Sequence, residues 1–322
     1  MSKAKSKSLP AGLKSLITGP TFTLLARASV SAATGTRFGR AAGPAPAPKA
    51  DILHSLFEKL DKDAAAKGVG WGEWMSLATA TLFTLNSSGS LQSLHRYTTS
   101  KLPSISLADR VSRACLMREV GLKCIGFIGI PKVINNLAAV RAAVEEDQEL
   151  AAQLPTEPRR RITSDIHSRV NDAAYELWDD IYQPHSKKLL GILGKSHPDL
   201  PVFIVESEYG PLFQTPSSFH PQSASSDPDW EVNRLRTSLV AIASLRAQGG
   251  VGPQVTSHVW GLMKAAPSIA QDDPHKDGLQ WLATEQGAEW VLRSVTSICE
   301  TIEGASEADL HQPGQETRES KL

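Results

Sequence analysis

The sequence predicts an all-α fold. Apolar residues recur at helical spacing in one segment after another, and stretches rich in Pro, Gly and Ser separate these segments. No stretch alternates polar and apolar residues in the way that a half-buried strand does. At 322 residues, the chain is long enough for two domains of about 150 residues or for one larger domain. We therefore expect a helical protein with a sizeable core.

Four helices are predicted in the first half of the chain. The first begins near Asp51, after a linker rich in Pro and Ala, and the second is an apolar segment at 75–85 that we expect to be buried. Ser106 is the predicted N-cap of a long helix over 107–126, since a serine side chain accepts a hydrogen bond from the first turn. Pro131 predicts the start of the fourth helix, because proline has no backbone N–H and an N–H in the first turn of a helix would have no partner within the helix.

The second half is predicted to begin at a boundary. Residues 154–161 combine two prolines with a charge run. Helical patterns then follow at 162–182, 185–193, 201–213, 230–247, 253–266 and 279–302. The Ser/Pro-rich stretch 216–228 lacks apolar periodicity and is predicted to be a surface loop. Residues 304–322 are mostly polar and are predicted to form a flexible tail.

Charge and cysteine content argue against several classes of function. Lys plus Arg and Asp plus Glu both number 34, so no net field would attract nucleic acid or an anionic membrane. Cys115, Cys124 and Cys299 form no Cys-x-x-Cys pair, and none has a histidine at zinc-ligand spacing. We predict no metal, no cofactor and no disulfide scaffold. The apolar runs are shorter than the roughly 18 residues of a membrane helix, so no membrane span is expected.

Both ends of the chain resemble targeting segments. Residues 1–50 contain no Asp or Glu and eight Lys or Arg among Ser, Thr and Ala, which is typical of a mitochondrial transit segment, or alternatively of a disordered basic arm. The chain ends in Ser320-Lys321-Leu322, the tripeptide that the peroxisomal import receptor binds. Because the tripeptide is specific in sequence, we predict a location in the peroxisomal matrix, with the mitochondrial matrix or dual targeting as alternatives.

Two segments resemble a known family. The first runs from His95-Arg96-Tyr97-Thr98 to Gly126-Phe127-Ile128-Gly129-Ile130-Pro131. It resembles the second half of a carboxymuconolactone decarboxylase domain, in which a helix bearing a histidine leads to a long helix and a Gly-x-Pro turn. The second comprises residues 197–200, Tyr209-Gly210, residues 236–245 and residues 254–262, which include Gln254-Val255-Thr256-Ser257-His258. It resembles the first half of that domain. The similarity extends over roughly residues 71–302.

The resemblance implies an AhpD-like helical fold, as in fungal organellar proteins of this group, built from two degenerate copies at 51–150 and 151–303. It also implies a homo-oligomer, a trimer or hexamer. Peroxidase members of the group use a glutamate, a Cys-x-x-Cys pair and a histidine four residues after the second cysteine. In the copy with His258, the two cysteine positions hold Val251 and Gln254, and the glutamate position falls near Ser238. In the copy with His95, the cysteine positions hold Ser88 and Leu91, and the glutamate position falls near Ser76. Without a thiolate, peroxidase chemistry is not expected.

The candidate site residues follow from these positions. His258 and Gln254 lie four residues apart, so one helix face could present both to a pocket, where the histidine would act as an acid/base or orienting group. Arg236 and Ser238 begin an apolar helix and could bind a carboxylate or phosphate at its N-terminus. His95, the weaker counterpart of His258, is expected to be structural.

Two hypotheses of function remain open at the level of sequence. The first is an organellar AhpD/carboxymuconolactone decarboxylase-like protein that lacks the redox dithiol and performs acid/base chemistry on an unidentified small molecule. The second is a non-catalytic oligomer with a binding or scaffolding role, which the missing glutamate and dithiol favour.

Overall fold

The computed structural model describes residues 8–18, 47–100, 105–219 and 229–310. Every regular element in these ranges is a helix, which confirms the predicted all-α class. Most of the basic segment 1–50 and the whole tripeptide 320–322 lie outside the described residues. None of the described helices is long and apolar enough to cross a bilayer.

The described residues up to 153 form the helices α1 (Ala11–Thr18), α2 (Ala50–Ala65), α3 (Trp71–Leu85), α4 (Ser88–Ser100), α5 (Leu107–Lys123), α6 (Ile125–Ile128), α7 (Ile130–Val144) and α8 (Gln148–Gln153). Ser106 is the N-cap of α5, as predicted: its Oγ accepts a hydrogen bond from the Asp109 N–H at 3.1 Å. Pro131 lies in the first turn of α7, also as predicted. The helix predicted over 107–126 ends earlier, at Lys123, and the short α6 follows it. Gly129, with φ of 80°, then redirects the chain.

The described residues from 167 onward form α9 (His167–Tyr182), α10 (Ser186–Ser196), α11 (Asp199–Phe203), a π-helix (Ile204–Leu212), α12 (Pro216–Phe219), α13 (Arg234–Gln248), α14 (Gly252–Met263), a 3-10 turn (Ala266–Ser268), α15 (Lys276–Leu282) and α16 (Glu285–Leu310). The helix predicted over 201–213 is therefore divided. The π-helix contains Pro211, which lacks the backbone N–H that a regular α-helix requires. The helix α16 continues past Gly304 into the predicted tail, and α12 begins in the predicted loop.

The central helices are α3 and α13, which pack against each other. Almost every residue of both is buried, as expected for helices that are apolar or small on all sides. Three hydroxyl groups of α3 bond within the helix: those of Ser76, Thr81 and Thr84 donate to carbonyls four residues earlier, at 2.6 to 2.8 Å. These bonds satisfy the hydroxyl groups in an apolar core.

The helix α1 belongs to this core. Leu9, Leu13 and Ile17 are buried in the main hydrophobic cluster, and α1 packs on α14 and α16. The alternative of a disordered basic arm is therefore wrong for residues 8–18, which are folded onto the body of the protein.

A second, smaller hydrophobic cluster is formed by α9, α10 and the π-helix. Its largest buried side chains are those of Trp178, Tyr209 and Phe213. The helix α9 packs on α14, so the two hydrophobic clusters meet along these helices.

Buried charges hold the predicted boundary segment 154–161 to the body. Arg160 forms a two-pronged ion pair with the buried Glu119 of α5, and Arg159 pairs with the buried Glu231. Next to them the fully buried Lys123 donates to the carbonyls of Phe213 and Val232, the second at 2.8 Å. Arg159 and Arg160 are therefore structural, because each neutralises a buried carboxylate.

Candidate functional site

The candidate site lies where α9, α14, α6 and the π-helix meet. The helix α14 carries His258, whose side chain is only 4% exposed. The last turn of α9 supplies Tyr182 and the π-helix supplies Tyr209. Phe127 of α6 also contacts the histidine: the two rings meet edge-on, with their centroids 5.9 Å apart.

A chain of hydrogen-bonding groups joins the three polar rings. The Tyr182 hydroxyl lies 3.3 Å from His258 Nε2 and 2.7 Å from the Tyr209 hydroxyl. The other ring nitrogen, His258 Nδ1, is buried and has no hydrogen-bond partner among the described residues. We refer to His258, Tyr182 and Tyr209 as the His–Tyr cluster.

The His–Tyr cluster is uncharged near neutral pH. Burial, and then the positive charge of Arg234, lower the pKa of His258 to about 3. Burial raises the pKa of Tyr182 to about 12 and raises the pKa of Tyr209 well above its usual value. The three side chains can therefore exchange hydrogen bonds, but each resists a change of charge.

The positive charge next to the cluster is compensated. Arg234 at the start of α13 pairs with Asp180 of α9 and donates to the Ser238 hydroxyl at 2.8 Å and the Gly261 carbonyl at 2.9 Å. These contacts fix the positions of α9, α13 and α14 relative to one another. The Ser238 hydroxyl accepts one of these hydrogen bonds, so it is part of the packing at the start of α13.

An open groove of about 520 Å³ begins at Tyr182. It lies between α10 and α14 and is lined chiefly by Tyr182, Lys188, Leu189, Ile192, Trp260 and Lys264. Ser257, the residue before His258, also lines it. The volume is within the range of about 300–1,000 Å³ that is usual for small-molecule sites. Tyr182 therefore connects the two features, since it lines the groove and also contacts the buried imidazole of His258.

Glu208, which precedes Tyr209 in the π-helix, has a half-buried carboxyl group. Burial raises the pKa of Glu208 to about 7. This glutamate faces Gly126, where an added Cβ would lie 3.0 Å from its Oε2 and 2.7 Å from the ring of Phe213. Its neighbour Tyr209 is buried in the second hydrophobic cluster.

The structure separates the other predicted site residues from His258. Gln254 lies in the first turn of α14 and is exposed, so it does not share the buried surroundings of the histidine. Arg236 pairs with the buried Glu73 of α3 at 2.8 Å and donates to the Glu231 carbonyl at 2.9 Å. The predicted anion site at this helix start is therefore filled by the chain's own groups.

His95 is also buried, but in different surroundings. Burial lowers the pKa of His95 to about 4, and neither of its ring nitrogens has a hydrogen-bond partner among the described residues. The structural role of His95 stays a prediction.

The three cysteines are buried and separate. Burial raises the pKa of Cys115 to about 11 and that of Cys124 to about 12. A thiol with a raised pKa is a poor nucleophile at neutral pH, because the reactive thiolate is scarce.

Sequence analysis missed Tyr182, the residue that joins the groove to the histidine. It follows Ile181 at the end of an amphipathic helix, and no local pattern distinguishes it from a packing residue. The two tyrosines and His258 come together only through tertiary packing.

The fold and the site define a class: an all-helical protein with an uncharged, buried histidine–tyrosine cluster next to an open groove. Among known proteins, the chain is 29% identical over 183 residues to "Peroxisomal protein 2" of Saccharomyces cerevisiae, a match that covers 52% of this chain and 58% of the relative. The chain thus matches less than two thirds of that relative's length. No protein-family model and no solved structure matches the chain.

Proposed function

We propose that this chain is an AhpD/carboxymuconolactone decarboxylase-like protein without the redox dithiol, which binds a small organic molecule in the groove through a hydrogen bond to Tyr182. The supporting observation is the position of Tyr182, which lines the groove while its hydroxyl lies 3.3 Å from His258 Nε2. In this proposal His258 orients the tyrosine hydroxyl, one of the two roles predicted for it. Binding of this kind requires no change of charge at any group of the His–Tyr cluster.

The tautomer of His258 follows from its surroundings. Its Nδ1 has no partner among the described residues, and a buried N–H without an acceptor is rarer in proteins than an acceptor without a donor. We therefore assign the proton to Nε2, which then donates to the Tyr182 oxygen. The Tyr182 hydrogen remains available for Tyr209 or for a bound molecule. Nitrogen-15 NMR of the labelled protein is expected to show a protonated Nε2. A protonated Nδ1 would mean that Nε2 accepts the Tyr182 hydrogen, which would leave none to donate to a bound molecule and would contradict this assignment.

Acid/base catalysis on the bound molecule is the second candidate function. The Tyr182–His258 contact favours it, because it connects the groove to a ring nitrogen that could take up a proton. The low pKa of His258, about 3, opposes it, since such an imidazole is a weak proton acceptor near neutral pH.

Binding measurements on variants test both candidates. After a small-molecule screen on the purified full-length chain, Tyr182→Phe is expected to weaken binding of a hit by roughly fivefold, as for the loss of one net hydrogen bond of about 1 kcal/mol. Tyr175→Phe on the same helix is the matched control, because Tyr175 is exposed and contacts Glu206 instead. Unchanged binding by Tyr182→Phe would refute the proposal. Turnover that His258→Gln abolishes while binding persists would establish catalysis instead.

We further propose a peroxisomal location, with the tripeptide Ser320-Lys321-Leu322 as its signal. The name of the yeast relative, "Peroxisomal protein 2", agrees with this. The folding of residues 8–18 into the core argues against removal of a transit segment, since removal would expose part of α14 and α16. In cells, deletion of residues 320–322 from a fusion with an N-terminal fluorescent protein is expected to abolish punctate, peroxisomal fluorescence. Persistent peroxisomal fluorescence would rule out the tripeptide as the signal.

The two-copy architecture and the homo-oligomer are also proposals. In support of two copies, α3 and α13 both contain 15 residues, and His95 follows Trp71 by as many positions as His258 follows Arg234. In support of oligomers, the large apolar side chains of Ile130 and Ile134 are more than half exposed on α7. Light scattering coupled to size exclusion is expected to give a trimer or hexamer, and a monomer at micromolar concentration would refute the oligomer.

A further inference from the structure

The groove at Tyr182 has two walls of different character. One wall is the end of α9 and the first turns of α10, which contribute the aliphatic side chains of Leu189 and Ile192. The other is α14 with the indole of Trp260. Ile192 is 50% exposed although it faces this concave surface. Covering these side chains with an apolar group would remove them from water, which favours binding by about 25 cal/mol per Å² of buried apolar area.

The charged groups that line the groove are all basic. Lys188 of α10 and Lys264 at the end of α14 line it together with His185, and neither Asp nor Glu is among its described lining residues. Lys264 donates to the carbonyls of Ile181 and Gln183, the second at 2.8 Å, and an ammonium group has three N–H donors. Lys264 therefore retains one donor for a ligand.

The acidic side chain that acts on Lys264 does not cancel this charge. Asp180 acts on Lys264 electrostatically, but it is paired with Arg234 of α13. Lys188 is exposed and has no ion-pair partner among the described residues. The entrance of the groove is therefore electropositive, whereas its walls are largely apolar.

We propose that the groove binds an amphipathic organic anion, with the acidic head group at Lys188 and Lys264 and an aliphatic tail along Leu189, Ile192 and Trp260. This inference rests on the proposed function, because it names the class of molecule that the groove holds. The head group is a carboxylate or a phosphate, since an ammonium group binds both as a point charge. The volume of about 520 Å³ suits a medium-length chain rather than a folded partner.

Calorimetry on the full-length chain with a set of ten-carbon probes tests this class. Decanoate and decyl phosphate distinguish the two head groups. Decanol lacks the negative charge, decyltrimethylammonium carries a positive charge instead, and acetate lacks the tail. At least one of the two anions is expected to bind roughly tenfold more tightly than decanol, as for two partly solvated ion pairs of about 0.7 kcal/mol each. Equal affinity for decanol and both anions, or no binding of either anion, would overturn the inference.

A matched pair of lysine variants locates the head group. Lys188→Gln is expected to weaken binding of the preferred anion roughly threefold to fivefold, whereas Lys187→Gln, which removes the same charge from the same helix outside the groove, is expected to leave it unchanged. Equal effects of the two substitutions would indicate general attraction rather than a site, and would refute the assignment. Circular dichroism confirms that both variants are folded.

Two outcomes separate this inference from the proposed function. If decanoate binds in a way that depends on Lys188 but Tyr182→Phe has no effect, the anion class holds and the hydrogen bond to Tyr182 fails. If the screen instead finds a neutral molecule whose binding depends on Tyr182, the proposed function holds and the anion class fails.

Discussion

The buried state of His258 predicts a measurable loss of stability in acid. The pKa of this imidazole is lowered to about 3 in the folded protein, whereas an unfolded chain has a histidine pKa of about 6.5. As the pH falls below 6.5, the unfolded state therefore takes up a proton that the folded state does not. The free energy of unfolding decreases until the pH reaches the folded pKa, about 3.

The magnitude follows from the separation of the two pKa values. Each pH unit between them is worth about 1.4 kcal/mol. Between pH 7 and pH 5 the unfolded chain gains most of one proton, so this histidine contributes a loss of about 2 kcal/mol. The substitution His258→Gln removes the titrating group, and the variant is expected to lose about 2 kcal/mol less than the wild type over the same interval.

Urea unfolding at pH 7 and pH 5, followed by tryptophan fluorescence, measures this difference. His258→Gln also changes packing, but that offset is present at both pH values and cancels when each protein is compared with itself. His197→Gln is the control, because it makes the same substitution at a largely exposed histidine outside the His–Tyr cluster. An equal loss of stability in the wild type and in His258→Gln would show that the imidazole is not held in the neutral form.

Three further predictions concern packing, charge and thiols. Gly278→Ala is expected to destabilise the fold by more than about 2 kcal/mol, because the added Cβ would overlap the backbone of Gly68. Gly191→Ala, where the added Cβ meets open space on a helix, is expected to stabilise the fold by about 0.5–1 kcal/mol. Thermal denaturation measures both changes. Arg160→Gln leaves Glu119 buried and unpaired, and chemical denaturation is expected to show a loss of about 3–5 kcal/mol. Ellman's reagent is expected to modify the three cysteines slowly in native protein and completely in urea, and rapid native modification would contradict their burial.

The fold class and several helix ends could be predicted because their signals are local. Ser106 caps α5 and Pro131 opens α7 through interactions within a few residues. The helix α3 could be predicted as buried because its composition alone excludes an exposed face. The division of the predicted helix 201–213 into α11 and the π-helix was less predictable, since no local pattern in the sequence distinguishes a π-helix from an α-helix.

The site was less predictable because its members are distant in sequence. His258 was found through the resemblance, but its partner Tyr182 precedes it by 76 residues. The pairing of His258 with Gln254 assumed that residues four apart share one environment. They share a side of α14, but Gln254 is exposed whereas His258 is buried.

The contrast between the two histidines indicates where the site originates. His95 and His258 occupy matching positions after α3 and α13, and burial keeps both neutral near pH 7. Only His258 meets tyrosine hydroxyls, because α9 and the π-helix pack over α14 as a separate hydrophobic cluster. If the two helix pairs are copies of one unit, the segment 167–213 is the addition that gives one copy a groove and a hydrogen-bonding chain. The function then depends on this segment more than on the histidine that both copies retain.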